Sequence, residues 1–437
     1  MLVFISDLHF LDETTGNHNL PASAFEKFLS SVSLHVKKAE NVKELKIIFL
    51  VDIFDLLRSE KWFEEKEEDC PWGKNTDKMK IRAKSILDTT AEKNKDTFNL
   101  FSGESLKKTF EEINVENIFI AGNHDRLCWM IDELKEKVTE LLDLNINNKE
   151  NFSHYFSDSD YGVYALHGHI FDSFNYEGGP FHTRQDYKLV PIGDPMTTEI
   201  FIKIPYKLMQ KIESTDILDK EEKIRLKKNF QEIGNIRPYS ATLKWLLFQI
   251  SANMSIKEII EDTIDEVIDE FKKLEFVENW FKHHDKWYTP FDTADMIQAC
   301  FFCLEKYKIF SFDKLLGIVD DIIKKLSSNY DMKGAKKLFC TLTDNYQYVI
   351  MGHTHVPLQQ ALFINMQESK RIRESIYLNT GTWIKNYYEC KGENGFVGWK
   401  NMNYVIIYTP KEKPNKYGLP VFETWQGTLK KEERFLK

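Results

Sequence analysis

Five short apolar runs, each ending in a cluster of Asp, His or Asn, constrain this chain more than any other feature. Leu2–Ser6 leads into Asp7-Leu8-His9, and Ile47–Val51 into Asp52-Ile53-Phe54-Asp55. Ile118–Ala121 leads into Gly122-Asn123-His124-Asp125, Val163–Leu166 into His167-Gly168-His169, and Tyr348–Met351 into Gly352-His353-Thr354-His355. Continuous apolar runs of this length suit strands buried on both faces. Ile376–Leu378 and Tyr404–Thr409 add two more runs. Helical patterns over Ala22–Lys38 and Thr76–Glu92 lie between the early strands, so the fold class predicted is α/β. Such sheets place their sites just beyond strand ends, so all five clusters can converge on one sheet edge.

The middle of the chain differs. From about Pro195 to Thr343 it reads almost entirely as helix. Ser255-Ile256-Lys257-Glu258 has the form of a capping box. It would open a helix with Ile256, Ile259, Ile260, Ile264, Val267, Ile268 and Phe271 on one face. Asp292 can cap a helix running through Leu304, and Ser311 another running through Ile323. Because strands resume afterwards, the expected organisation is one α/β domain over 1–194 and 344–437, with a helical insertion or cap over 195–343.

Composition excludes some function classes. Hydrophobic residues make up 42% of the 437, enough for a sizeable core. The net charge of −9, from 59 Lys and Arg against 68 Asp and Glu, argues against a surface that coats nucleic acid throughout. A local basic groove remains compatible with it. The six cysteines form no dense framework, which predicts reduced thiols. Cys300 and Cys303 lack a second ligand pair for a zinc site and read as buried helix residues. The N-terminus lacks a signal-peptide pattern, and no apolar run reaches the ~18 residues of a membrane span. The expected location is cytoplasmic.

Taken singly, the clusters are weak. Asp-x-His marks a turn far more often than a ligand. His-x-His carries more metal character, because alternate residues on an extended chain point the same way. Together they supply carboxylate, imidazole and amide oxygen, the ligand set expected for Mn, Fe or Zn. Two ions about 3.5–4 Å apart need a shared ligand, and a carboxylate can provide it.

In order and composition, Asp7-x-His9, Asp52-x-x-Asp55, Gly122-Asn123-His124-Asp125, His167-Gly168 and Gly352-His353-Thr354-His355 resemble the calcineurin-like metallophosphoesterase family. Asn379-Thr380-Gly381-Thr382-Trp383 is similar to that family's closing strand and turn. The resemblance spans positions 7 to 355 and leaves out the helical block. It implies a four-layer β-sandwich flanked by helices, here carrying an insertion. It also implies two divalent cations, manganese first and iron or zinc as alternatives. One would be held by Asp7, His9, Asp52 and His355, the other by Asp52, Asn123, His167 and His353, with Asp52 shared. His124 would act as general acid or transition-state stabiliser, oriented by Asp55. Water activated between the cations would attack phosphorus in line. The chain departs from the family at Val51, where Gly is usual; Val adds bulk and stiffness beside Asp52.

The family's Ser/Thr protein phosphatases carry Arg directly after the second Asp, where Leu56 stands here. The Asp-Ile-Phe-Asp form is more like the branches of Mre11-type nucleases and sugar-nucleotide pyrophosphatases. The leading expectation is therefore a phosphodiesterase acting on a nucleotide or nucleic acid. A pyrophosphatase on a nucleotide-linked sugar or lipid is the alternative, and a non-catalytic binding scaffold is the third reading. Arg58, His182 and Arg184 are candidate substrate contacts, with Lys61 and Trp62 nearby. His169 can lie near the site or face away. His18 and His154 read as surface or core-edge residues, and His283 and His284 as solvated.

Overall fold

A computed structural model describes the chain except residues 146–151, 180–184, 238–240, 253, 286–292, 295–296, 299–300, 302–329, 343–345, 366–371, 391–394 and 437. The protein is mixed α/β, with two mixed sheets of eight and five strands. In chain order the strands are β1 (Leu2–Ser6), β2 (Glu44–Leu50), β3 (Asn114–Ile120), β4 (Phe152–Ser153), β5 (Phe156–Asp158), β6 (Val163–Ala165) and β7 (Ile236–Arg237). They continue as β8 (Tyr348–Met351), β9 (Leu358–Asn365), β10 (Ile372–Asn379), β11 (Lys385–Glu389), β12 (Gly395–Tyr408) and β13 (Val421–Leu436).

The larger sheet runs β4-β3-β2-β1-β12-β11-β7, with β13 beside β12. Its first four strands are parallel, and β12 joins antiparallel to β1. The smaller sheet runs β5-β6-β8-β10-β9, with β6, β8 and β10 parallel. Alternate residues from both sheets, among them Phe4, Ile48, Ile120, Val163, Ile350 and Leu378, form one apolar cluster between them. On the outer face of the larger sheet, Val3, Ile47 and Phe119 pack with the helices Ala22–Lys38 and Asp77–Lys93. Helix Tyr330–Thr341 covers the smaller sheet through Ala335 and Phe339. The parallel strands are thus buried on both faces, as their unbroken apolar sequences require.

Sequence periodicity located the elements with the strongest patterns. Leu2–Ser6, Tyr348–Met351 and helix Ala22–Lys38 keep their predicted bounds. Thr76 is the cap of its helix, its hydroxyl accepting from Met79 N, so that helix begins at Asp77. The capping box at Ser255 does not form. Ser255 lies in a 3-10 turn over Met254–Ile256, and helix Lys257–Lys272 starts behind Ile256 with no side-chain cap. The apolar face still holds, with Ile260, Ile264, Val267, Ile268 and Phe271 buried. The helices expected from Asp292 and Ser311, and the pair Cys300 and Cys303, lie outside the described residues.

Residues 195–343 are not uniformly a separate helical layer. Helices Lys203–Glu213, Lys220–Gln231, Thr242–Ala252 and Lys257–Lys272 share their own core around Ile204, Leu208, Phe230, Trp245 and Ile264. Two pieces belong elsewhere. β7 joins the edge of the larger sheet beside β11, and helix Tyr330–Thr341 packs on the smaller sheet. A two-residue strand and a helix whose apolar face meets a sheet leave no periodicity that distinguishes them from bundle residues.

Candidate metal centre

The ends of β1, β2, β3, β6 and β8 meet, and they bring the predicted cluster residues together. Three groups of potential ligand atoms each lie within 4.8 Å of one another: Asp7, His9 and His355; Asp52, His167 and His353; and His9, Asp55 and His124. Asp52 stands between the first two groups. Its Oδ2 is 3.2 Å from His167 Nε2 and 4.0 Å from His9 Nε2. Asp7 Oδ1 is 3.2 Å from His355 Nε2 and 3.8 Å from His9 Nε2.

Backbone shape makes this closeness possible. Asp7, His9, His353 and His355 all hold φ between +45° and +67°, a region that costs non-glycine residues about 1–3 kcal/mol each and collects at functional sites. Two glycines remove side chains that would block the carboxylates. A Cβ at Gly122 would stand 2.1 Å from Asp52 Oδ1, and one at Gly352 would stand 2.5 Å from Asp7 Oδ2. Backbone amides then fix the carboxylates: His124 N donates to Asp52 Oδ1 at 2.9 Å, and His353 N to Asp7 Oδ2 at 3.1 Å. The turn predicted at Asn379–Trp383 braces the first strand end. Thr382 Oγ1 donates to Asp7 O at 2.6 Å, and Ser6 Oγ lies 2.6 Å from Thr380 Oγ1.

Most of the histidines are anchored through one ring nitrogen. His9 Nδ1 lies 3.1 Å from Asp55 Oδ2, and His124 Nδ1 lies 2.9 Å from Asp55 Oδ1, so Asp55 orients two rings, not His124 alone. His167 Nδ1 meets Leu50 O at 3.3 Å, and His353 Nε2 meets Asp172 Oδ2 at 2.9 Å. Outer contacts of this kind fix the tautomer and ring orientation of metal-binding histidines.

His355 is held differently. Arg237 Nη2 and Nε approach its Nδ1 at 2.7 and 3.2 Å. Both are donors, so Nδ1 accepts and the proton of a neutral ring sits on Nε2, facing Asp7. Burial and the Arg237 guanidinium push His355 down to about 3, which keeps it neutral. Burial would also lower His167, but the Asp52 carboxylate overrides it and raises the ring to about 9. Burial would raise Asp52 and Asp7. For Asp52 the neighbours His167 and His124 outweigh it, and for Asp7 the neighbours His355 and His9 do, holding both below the usual carboxylate range.

The residues fit divalent cations. Asn123 Oδ1 is a buried polar atom without a hydrogen-bond partner among the described residues, and Asp7 Oδ1 and His167 Nε2 are buried against other members of the cluster, His355 and His9 for the first and Asp52 for the second. Each belongs to a residue of the expected ligand set. A buried amide oxygen left without a partner, as Asn123 Oδ1 is, is costly unless something satisfies it. Buried carboxylate, imidazole and amide oxygen form a donor set suited to Mn, Fe or Zn.

Other expectations are corrected. Val51 does not crowd the cluster: its side chain is fully buried in the apolar cluster on the helix side of the sheet, its φ is not left-handed, and its N–H donates to Ile120 O. Trp62 is no stacking platform, being 1% exposed with Nε1 donating to Leu56 O. Lys61 Nζ is held by Thr89 Oγ1 at 2.7 Å. His284 is not simply solvated, since it stacks on Trp280 and lies 3.0 Å from Glu177 Oε2. His169 lies beside the cluster, its ring centroid 5.4 Å from that of His167. His182 and Arg184 fall outside the described residues.

Sequence reasoning missed Asp172, Asn175 and Arg237. Asp172 and Asn175 follow the His167 cluster closely, and Asn175 Oδ1 accepts from Asn123 Nδ2 at 3.5 Å. Polar residues in that loop were the available signal. Arg237 comes from the helical block, and nothing in the sequence ties it to His355. Neither a model of a known protein family nor a characterised protein matches this chain.

Proposed function

We propose that this protein is a two-cation phosphoesterase with the calcineurin-like metallophosphoesterase fold, acting as a phosphodiesterase on a nucleotide or nucleic-acid linkage. The observation that carries this reading is Asp52, whose one carboxylate oxygen lies within 4.0 Å of imidazoles from both candidate ligand groups. Asp7, His9, Asp52 and His355 would hold one cation, and Asp52, Asn123, His167 and His353 the other. Divalent cations there, manganese ahead of iron or zinc, would supply charge neutralisation at the phosphate and acidity to a water.

The chain itself does the positioning. Asp55 holds His124 through Nδ1, so its other nitrogen is the one that can give a proton to a departing oxygen. Asp172 and Asn175 orient His353 and Asn123 from one loop. A pyrophosphate linkage is the second reading, favoured by the buried Arg58 guanidinium beside His124. Among the described residues no helix is long and apolar enough to cross a membrane.

The test is hydrolysis of bis-p-nitrophenyl phosphate and of the monoester by metal-stripped protein resupplied with Mn²⁺. The expected result is metal-dependent turnover that prefers the diester. Asp52→Asn should lower it by roughly a hundredfold or more, beyond the 10–100-fold typical of losing an outer-shell partner. Full activity in Asp52→Asn sinks the site assignment. No turnover of either ester with cations bound leaves a binding scaffold.

A further inference from the structure

Arg58 is the buried cation whose charge the proposed chemistry leaves unused. It is 5% exposed. Its Nη1 donates to Asn235 Oδ1 at 3.1 Å, while Nε and Nη2 have no hydrogen-bond partner among the described residues. Those two atoms form one edge of the guanidinium, the fork that matches two oxygens of a phosphate or carboxylate. No described carboxylate forms an ion pair with it. Glu232, on the adjoining turn, is taken by Lys385 Nζ at 2.6 Å and by Asn235 Nδ2 at 2.7 Å. A buried guanidinium left without an anion is unfavourable, because its lost hydration is not replaced.

The surroundings say where the anion would sit. Arg58 lines a cavity of about 20 Å³ together with His9, Asp55, His124, Gly234 and Arg237. That volume holds about one water-sized group, enough for one oxyanion vertex to enter. Asp55, the carboxylate in that lining, is already engaged by His9 and His124. Gly234 lies flat against the guanidinium, where an added Cβ would stand 3.2 Å from Arg58 Cζ and 3.3 Å from Nη2. The turn after Asp55 supplies the charge, and Gly234 and Asn235 fix its orientation.

We propose that the Nε/Nη2 edge of Arg58 is an oxyanion subsite on the His124 side of the metal centre, which takes a second phosphate of the substrate. The substrate class is then a compound with two adjacent phosphates, which favours the pyrophosphate linkage given above as the second reading over a nucleic-acid phosphodiester. Placing that phosphate on the leaving-group side rests on the phosphoesterase reading above. The anion-binding edge itself does not, because it is built without cations.

Two measurements decide it. Calorimetric titration of EDTA-treated protein with inorganic pyrophosphate should show binding, weakened about 10- to 100-fold in Arg58→Met and partly restored in Arg58→Lys. Unchanged affinity in Arg58→Met overturns the subsite. In Mn²⁺-loaded protein, Arg58→Met should raise KM about tenfold or more for a nucleotide pyrophosphate while leaving KM for bis-p-nitrophenyl phosphate near wild type. Equal losses on both substrates would place Arg58 at the scissile phosphate or in the scaffold and refute a second-phosphate role. If Arg58→Met does not fold, Gly234→Ala serves instead: it keeps the charge but crowds Nη2, and wild-type pyrophosphate affinity in that variant refutes the subsite. Absence of all hydrolysis would remove the phosphoesterase reading, yet the titration would still decide on the anion edge.

Discussion

At the residue scale, the site holds each candidate ligand from behind and turns its donor atom toward the others. Asp7, Asn123 and His167 are fixed by His353 N, Asn175 and Leu50 O, while Asp7 Oδ1 and His167 Nε2 meet only other cluster members and Asn123 Oδ1 has no hydrogen-bond partner among the described residues. Val51 shows the opposite case, a residue that looks out of place in sequence and is ordinary in space. Its side chain fills the apolar cluster and does not touch the question of cation room. Val51→Gly should therefore cost about 2–4 kcal/mol of stability, from lost burial and added backbone freedom, with no gain in metal binding. Chemical denaturation of the two proteins checks this; a variant equal in stability and tighter for Mn²⁺ would restore the view that Val51 crowds the site.

At the scale of elements, the short strand β7 matters most. It sets Arg237 against His355 and, through the preceding turn, Asn235 against Arg58 and His18. In the arrangement observed, Arg237 donates to His355 Nδ1, which leaves a proton on the nitrogen that faces Asp7. A cation at that group must displace this proton and also sit near a guanidinium. Arg237→Gln should then bind one of its two Mn²⁺ ions several-fold more tightly, as read by titration of metal-stripped protein; weaker binding would mean that Arg237 supports the ligand instead of competing for it. Much of this element-level assembly was not legible in the sequence. Asp7, His9, Asp52, Asn123, His167, His353 and His355 announced themselves because each follows a strand, and strand ends gather in space. Arg237 and Asp172 did not, because their positions depend on how an insertion and a loop fold back, and no local pattern encodes that.

At the scale of the whole molecule, the insertion is tied to the α/β part by buried polar contacts as well as by β7. Thr198 Oγ1 donates to Leu57 O at 2.9 Å, Trp280 Nε1 donates to Glu177 at 2.6 Å, and Lys385 meets Glu232. His18 sits in this seam, accepting from Asn235 and lying 3.9 Å from Glu232. Burial pushes its ring down to about 4 from an ordinary 6.5, with Arg58 adding to the effect against Glu232. Its folded form resists protonation, so between about pH 4 and 6.5 the unfolded chain binds more protons and stability rises with pH. On acidification across that window the folded protein loses up to about 3 kcal/mol from this group. His18→Gln should flatten that part of the stability–pH curve in urea unfolding; an identical slope would show that His18 titrates normally.

Whether two cations gather around the Asp52 carboxylate can be read by anomalous diffraction from crystals soaked in Mn²⁺. Two peaks are expected, roughly 3.5–4 Å apart, flanking Asp52, one against Asp7, His9 and His355 and the other against Asn123, His167 and His353. A single peak away from Asp52, or none at saturating Mn²⁺, would contradict this arrangement.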